Sequence, residues 1–160
     1  MDPQAYTSFL QSLPRKRMAA GAFFRDEAGR VLLVKPAYKP GWDLPGGVVE
    51  ENEAPKAACR REIREELDLA SAIGRLLVVD YNSATEVKTE SLMFVFDGGV
   101  LSPEMLAQVR LPPEELADFR CFDPAELPAA MTPTLRRRVG QAWQMLMNGG
   151  DVYLEDQEQV

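Results

Sequence analysis

The sequence contains no histidine among its 160 residues. This absence excludes a Ser-His-Asp triad, a histidine general base and histidine-ligated zinc. Acid–base chemistry must therefore come mainly from the side chains of Asp, Glu, Lys, Tyr or Cys.

Cysteine is scarce and long apolar runs are missing. Cys59 and Cys121 are too few for a disulfide framework, and we interpret them as free thiols in a reducing compartment. No apolar run approaches the roughly 18 residues that a membrane helix needs. Residues 18–24 follow three basic residues, as in a signal peptide, but this run is short, begins late and is closed by Arg25. We therefore expect a cytoplasmic protein.

Basic residues are outnumbered, with 18 against 25 acidic ones, and the net charge is −7. We expect no polymeric nucleic acid as a partner, because binding its phosphates requires Lys and Arg. A small polyanion is compatible with this charge if metal ions neutralise the site. The length and the apolar fraction of 46% indicate one globular domain with a sizeable core.

Apolar runs separated by turn residues predict strands interleaved with a few helices. The predicted strands are 17–24, 31–34, 42–44, 76–81, 92–96 and 119–122, and the predicted helices are 53–67 and 133–147. Thr132 fits the N-cap of the last helix, and Pro133 fits its first position. This order predicts an α/β fold with a sheet packed between helices. We divide the chain into a loosely ordered lead-in (1–16), one domain (17–148) and a solvated acidic tail (149–160).

Three glutamates, Glu62, Glu65 and Glu66, lie within one turn of the predicted helix 53–67 and share one face. Their carboxylates repel one another, and they offer the oxygen ligands that Mg²⁺ takes. An isolated E-x-x-E-E pattern is nevertheless more often a solvated helix face, so this cluster alone is weak evidence of a metal site.

The spacing of the whole segment 47–69, GVVEENEAPKAACRREIREELDL, is far more specific. It resembles the Nudix box, G-x5-E-x7-R-E-U-x-E-E-x-G-U with U aliphatic, at every fixed position except the last glycine, which is Asp68. With each residue type used at roughly 7%, the six matching positions coincide by chance with a probability of about 10⁻⁵ over this chain. Residues 42–47 look like the strand that enters the box, and the resemblance covers about residues 17–147.

This resemblance implies a Nudix-type α/β/α sandwich with a mixed central sheet. It also implies Mg²⁺-dependent hydrolysis of the pyrophosphate bond in a nucleoside diphosphate linked to another moiety, X, with Mn²⁺ as the alternative cation. Such ions screen phosphate charge, lower the pKa of a bound water and orient the leaving group. The expected partner is a small nucleotide or diphosphate substrate, with no membrane involved. Dimers are common in the family, so a homodimer is one expectation, although the sequence does not reveal the oligomeric state.

The resemblance also assigns residue roles within the box. Glu62, Glu65 and Glu66 correspond to the metal ligands, and Gly46 lets the backbone come close to the metal. The Glu62 position activates the water in some family members, whereas in others the base comes from a different loop. We count Glu62, Glu66 and Arg61 as catalytic candidates, although Arg61 resembles a structural residue more than a catalytic one.

Gly47 and Glu53 are the structural positions of the box, and Glu53 together with Arg61 is expected to hold the loop and helix together. Two positions depart from the common pattern: Asn52, where many members carry glycine, and Asp68. Both are turn positions where a left-handed backbone is expected, which Asn and Asp tolerate best after glycine. Asn52 is also expected to cap the helix.

An acidic ligand or base often comes from outside the box. The candidates are Glu90, Glu104, Glu114, Glu115 and Asp118. Glu115, in the Pro-Pro-Glu-Glu loop just before a strand, completes our set of catalytic candidates. Any one of these residues taken singly is more often a surface carboxylate.

The residues upstream of the box are candidates for substrate binding. Lys39 could contact phosphate, and Tyr38 or Trp42 could stack on a base, although Trp42 is more often a packing residue. Met93 or Phe94 could line a pocket. None of these residues distinguishes ADP-ribose, a nucleoside triphosphate or a nucleotide sugar.

Two other functions fit the same fold. A non-catalytic ligand-binding or sensor module would be favoured by loss of box carboxylates, and none is lost. An isomerase would need other catalytic residues, and the sequence identifies none.

Overall fold

The computed structural model describes residues 2–160 and contains a single mixed sheet with helices on both faces. In chain order the elements are α1 (Pro3–Ser12), β1 (Arg17–Asp26), β2 (Val31–Pro36), β3 (Gly46–Val48), α2 (Pro55–Leu67), β4 (Leu76–Asn82), β5 (Ser91–Leu101), α3 (Pro103–Gln108), β6 (Leu116–Phe122), α4 (Pro133–Asn148), β7 (Tyr153–Glu155) and β8 (Glu158–Gln159).

The sheet has eight strands in the order β6-β2-β1-β5-β4-β7-β8, and β3 pairs separately with β1. The β1–β5 and β4–β7 pairs are parallel, whereas the remaining pairs are antiparallel. A mixed sheet between helices is the architecture that the sequence predicts, and that prediction is confirmed.

Each face of the sheet carries its own apolar core. The buried face of α2, which includes Ile63 and Leu67, packs with Ala20, Ala22 and Phe24 of β1. The other core joins the opposite face of the sheet to α4, whose buried apolar residues are Leu135, Val139, Ala142 and Met145. Because side chains alternate along a strand, β1 contributes to both cores and fixes the two helices on opposite sides.

The capping of α4 follows the sequence prediction. The side chain of Thr132 accepts a hydrogen bond from the Leu135 amide at 3.2 Å, and Pro133 occupies the first turn. None of the helices within residues 2–160 combines the length and apolar composition required to cross a membrane.

Both ends of the chain differ from expectation. The predicted lead-in contains α1, whose residues all remain unburied and whose first turn is capped by Asp2. The predicted solvated tail instead joins the sheet as β7 and β8, and Leu154 is fully buried in the core under α4. Asp156 and Gln157 form the turn of this hairpin with positive φ angles of 48° and 66°. The strands β7 and β8 are short and acidic, and their hydrophobic pattern is too weak to predict a strand from the sequence.

The box entry also begins differently from the prediction. Residues 42–44 do not form a strand: Asp43 makes an isolated bridge to Val34, and the strand lies at Gly46–Val48. Helix α2 begins at Pro55, two residues later than predicted.

Candidate active site

The site begins where β3 meets β1, with Gly47 opposite Ala20 and Gly46 opposite Gly21. Gly46 has a φ of 146°, and a Cβ there would collide with the Ala20 carbonyl, so only glycine fits. A Cβ on Gly47 would lie 2.5 Å from the Glu62 carboxylate. The two glycines therefore let the backbone lie directly against the carboxylates of α2.

Arg61 joins the loop before α2 to the helix itself. Its guanidinium donates to both carboxylate oxygens of Glu53 at 2.9 and 3.0 Å and to the Val48 carbonyl at 3.0 Å. It also donates to Glu62 at 2.8 Å and to Glu65 at 3.1 Å. The hydrogen bond from Arg61, with a further one from the Glu50 amide, lowers the pKa of Glu53 to about 2. This arrangement supports the structural role expected of Glu53 and Arg61.

Glu66 is held from the other side, because the Gly46 amide donates to its Oε2 at 2.8 Å. Burial raises the pKa of Glu66 to about 8, and the negative charges of Glu62, Asp43 and Glu115 act in the same direction. Burial also raises the pKa of Glu62, against the opposing effect of Arg61. In both carboxylates, burial is thus the main factor that disfavours the charged form.

A cavity of about 220 Å³ collects these carboxylates, and we call it the acidic cavity. Its lining includes the side chains of Asp43, Glu62, Glu66 and Glu115, together with Gly47, and no basic residue. The carboxylates come from three segments: the loop before β3, the helix α2, and the turn that precedes β6. A cavity with four acidic groups and no basic lining residue favours a bound cation.

Glu115 is the outside-box candidate that the structure brings to the acidic cavity. Its carbonyl oxygen accepts the Ala37 amide at 2.8 Å, which fixes the turn beside β2. The remaining candidates lie away from the cavity. Glu90 pairs with Lys16 and Asp118 with Arg120 at the surface, while Glu104 begins α3 and Glu114 is exposed.

Asp43 is a cavity residue that the sequence interpretation missed. It was taken as part of a strand, and it gave no signal beyond its place four residues from the first box glycine. In the structure its side chain accepts the Leu44 amide at 2.9 Å and forms an ion pair with Lys39 at 3.0 Å. Backbone bonding to Val34 sets it at the cavity wall.

Of the three glutamates clustered on α2, Glu65 is the one that does not line the acidic cavity. Its side chain is 54% exposed and reaches Arg61. Glu62 likewise turns toward Arg61. Within residues 2–160, no group of three acidic or thiol side chains is already arranged to hold a metal ion.

The predicted substrate-binding residues divide between two cavities. Tyr38 lines the acidic cavity and is largely exposed. Lys39 and Trp42 line a second cavity of about 1130 Å³, which we call the long groove; it shares Asp43 with the acidic cavity. Trp42 packs edge-on against Phe122 with ring centroids 4.9 Å apart, the packing role expected for it.

The two departures from the box pattern have the backbone predicted for them. Asn52 has a φ of 59° and Asp68 a φ of 55°, both in the left-handed region. Asp68 ends α2, and its amide donates to the Arg64 carbonyl. The prediction that Asn52 caps the helix is wrong: the N-cap is Ala54, which makes no side-chain cap, because Pro55 fits the first turn without an amide donor.

Comparison with known proteins agrees with this geometry. The model of the NUDIX domain matches residues 15–142. A Bacillus subtilis (strain 168) protein named as an 8-oxo-dGTP diphosphatase is 30% identical over 114 residues, which span 71% of each chain. Diphosphoinositol polyphosphate phosphohydrolase 2 of Rattus norvegicus is 37% identical over 76 residues, which are 47% of this chain and 42% of the relative. The crystal structure of the MutT NUDIX hydrolase from Burkholderia pseudomallei has 28% identity and a TM-score of 0.68, and it covers 80% of this chain and 98% of its own.

Proposed function

Because the chain belongs to the NUDIX family, as the match over residues 15–142 shows, we propose that it is a Mg²⁺-dependent hydrolase of nucleoside diphosphates linked to another moiety, X. Hydrolysis of a pyrophosphate bond is the reaction class of the family and is reflected in the names of its relatives. Those names also include a nucleotide and an inositol polyphosphate, so the chemistry at the diphosphate is common to them while X differs.

The acidic cavity carries this proposal. Four carboxylates line about 220 Å³ without a basic lining residue, and Glu66 has a pKa raised to about 8 by burial and neighbouring charge. Such a donor set fits a hard divalent cation, which prefers oxygen ligands. The residues that would hold the cation are Glu62 and Glu66, with Glu65 and the backbone of Gly46 beside them. When bound, the cation would neutralise the diphosphate and lower the pKa of a water.

The chain's own residues have separate tasks in this proposal. The Gly46 amide orients Glu66, and Arg61 restrains the Glu62 side chain by donating to it. Glu115 is proposed as the general base that takes the proton from the attacking water, with Glu62 as the alternative. The Glu115 carboxylate has no hydrogen-bond or ion-pair partner among residues 2–160, so it is free to accept a proton. A cytoplasmic location and a homodimer stay predictions from the sequence.

The direct test is a panel of diphosphate compounds incubated with Mg²⁺ or Mn²⁺, with the products identified by mass. The panel contains ADP-ribose, nucleoside triphosphates, 8-oxo-dGTP and nucleotide sugars. Cleavage at a phosphorus of the diphosphate, abolished by a chelator, is the expected result. Binding of panel members without any cleavage would instead establish a sensor module.

The identity of the general base is tested by comparing the kinetics of Glu115→Gln with those of Glu114→Gln. Glu114 is an exposed neighbour that does not line the acidic cavity, so its variant is the matched control. Glu115→Gln is expected to lower kcat by about 10² to 10⁴-fold with little change in KM. If kcat is retained in that variant and lost in Glu62→Gln, the base is Glu62.

A further inference from the structure

The long groove crosses the face of the sheet that packs under α4. Pairing register places Val48 of β3 beside Ala19 of β1, Ala19 beside Met93 of β5, and Met93 beside Asp80 of β4. Three strand spacings separate the first residue from the last, a span of about 14 Å. One end of the groove therefore adjoins the Nudix box, and the other end lies over β4, which we call the far end.

A buried polar network closes the far end. Asp80 is fully buried and accepts hydrogen bonds from Arg138 Nε at 2.9 Å and from the Gln157 amide and Nε2 at 2.9 and 3.0 Å. Asn82 Oδ1 accepts from Arg138 Nη2 at 2.6 Å. Partners on β4 and on the C-terminal hairpin therefore fix the orientation of the Arg138 guanidinium.

Arg138 retains one donor group that the protein does not use. The residue is only 9% exposed and lines the long groove, yet its Nη1 has no hydrogen-bond partner among residues 2–160. In that range, Arg25 Nε is the one fully buried side-chain nitrogen or oxygen atom without a partner. Because Arg138 Nη1 also lacks a partner but is not fully buried, it must be partly exposed. The cavity that Arg138 lines is the long groove.

Two further arginines line the long groove. Arg137 precedes Arg138 on α4 and donates to Gln157 Oε1 at 3.0 Å. Arg17, on β1 across the groove, is held by the side chain and carbonyl of Thr89 at 2.8 and 2.5 Å. Neither forms an ion pair within residues 2–160. The acidic residue at the far end, Asp156, is engaged by the Ser83 amide and hydroxyl at 2.8 and 2.7 Å.

The charges of the groove are therefore divided. Its box end carries Asp43, Glu50, Glu51 and Glu53 with one cation, Lys39, whereas its far end carries Lys88, Arg137 and Arg138 with one exposed acid, Asp156. Although the net charge of the chain is −7, basic side chains are concentrated at the far end of the groove. A guanidinium fixed by its neighbours offers a fork of donors suited to a phosphate or carboxylate.

We propose that the far end binds a second anionic group, a phosphate ester carried by X, while the scissile diphosphate lies at the acidic cavity. This inference rests on the proposed function and names its substrate class: diphosphate compounds whose X moiety is itself phosphorylated. Because three strand spacings, about 14 Å, separate the backbone at the two ends of the groove, we assign the second anion to X and not to the scissile diphosphate.

The experiment uses matched substrates that differ by one phosphate on X: ADP-ribose 1″-phosphate against ADP-ribose, and NADPH against NADH, in which the adenosine half is taken as X. Wild-type protein is expected to favour the phosphorylated member of at least one pair by about tenfold or more in kcat/KM, through KM. Arg137→Gln and Arg138→Lys are each expected to reduce that preference severalfold. Arg17→Gln, on the opposite wall, tests the same site without disturbing the Asp80 network.

The control is Arg136→Gln, because Arg136 is an exposed neighbour on α4 that does not line the groove. Its preference between the paired substrates is expected to equal that of the wild type. Calorimetric titration of the same pairs in a chelator gives a readout that needs no turnover, and the phosphorylated member is expected to bind more tightly.

The outcomes separate this inference from the proposed function. If nothing is cleaved but the titrations still favour the phosphorylated compounds, the hydrolase proposal fails and the far-end site stands. If substrates are cleaved and the wild type treats both members of each pair alike, the far-end site is overturned. An unchanged preference in Arg17→Gln, Arg137→Gln and Arg138→Lys would also overturn it.

Discussion

The two faces of the sheet carry functional residues in different ways. On the α2 face, the residues of the Nudix box lie within one continuous segment, 47–69, and the acidic cavity adds Asp43 and Glu115 from nearby loops. On the α4 face, the far end of the groove combines Asn82 and Arg138 with the hairpin at the C-terminus, and Arg17 lies across the groove on β1. Sequence spacing is enough to identify the candidate residues on the α2 face. Those on the α4 face come together only through the pairing register of the strands.

This difference separates chemistry from specificity within the molecule. In the proposed function, the continuous segment holds the carboxylates that would bind a cation, and it would therefore set which bond is cut. The opposite face is assembled from β1, β4, α4 and the turn between β7 and β8, which are far apart in the sequence. Substitutions on the α4 face can therefore change which moiety X is accepted without disturbing α2, the helix that holds the glutamates.

The largest expected effect belongs to the α2 face. Glu66→Gln is expected to lower metal-dependent turnover by at least about a hundredfold, because losing a ligand costs more than the roughly 10–100-fold typical of outer-shell changes. The fold should stay intact, since the amide oxygen of Gln can still accept the Gly46 hydrogen bond. Steady-state kinetics, Mn²⁺ binding followed by electron paramagnetic resonance, and circular dichroism measure the three quantities.

The exposed neighbour Glu114 supplies the matched control for this substitution. Glu114→Gln should retain both turnover and Mn²⁺ binding. Full turnover in Glu66→Gln would reject the metal-site assignment, and the distinction between a catalytic face and a specificity face would fall with it.

The second prediction concerns the stability of the α4 face. Leu154 is fully buried there, so Leu154→Ala is expected to reduce the free energy of unfolding by about 2–5 kcal/mol. Urea denaturation of this variant and of Val160→Ala, where the side chain is 75% exposed, makes the comparison. Equal stabilities would mean that the C-terminal segment is a solvated tail after all.

The third prediction tests the close contact at the start of the box. In Gly47→Ala the new methyl group meets the Glu62 carboxylate at 2.5 Å, and we expect a loss of about 1–3 kcal/mol in stability with a fall in turnover. Gly140→Ala is the control because open space surrounds that position on α4, and it should gain about 0.5–1 kcal/mol. A harmless Gly47→Ala would show that the backbone does not need to approach Glu62.

The box and its consequences were readable from the sequence because they depend on neighbours. Spacing along one helix places Glu62 and Glu66. The left-handed backbone at Asn52 and Asp68 was expected because Asp68 stands where the box pattern has glycine and Asn52 where many family members carry it. The sequence identified Glu115 only as the preferred one of five candidates, because nothing in its own segment indicates that it lines the acidic cavity.

The remaining features depend on long-range register. Asp43 reaches the acidic cavity because its backbone pairs with Val34, and a single aspartate in a loop carries no signal of that pairing. The C-terminal strands are short and acidic, and they are held by Leu154 and by the buried contact of Gln157 with Asp80. A pattern search along the chain cannot detect contacts 77 residues apart.

The smallest expected effect concerns Glu53, which belongs to the box but holds the loop that leads to the groove. Arg61 lowers the pKa of Glu53 from 4.5 to about 2, so this carboxylate stabilises the fold fully above pH 4.5 and loses that effect as the pH falls toward 2. The difference in urea midpoint between wild type and Glu53→Gln should therefore be greatest near neutrality and shrink in acid. Glu51→Gln, an exposed neighbour, should show no such pH dependence. If the difference in urea midpoint were the same at every pH, Glu53 would stabilise the fold through its packing and not through its charge. The loop would then be held against α2 by packing alone.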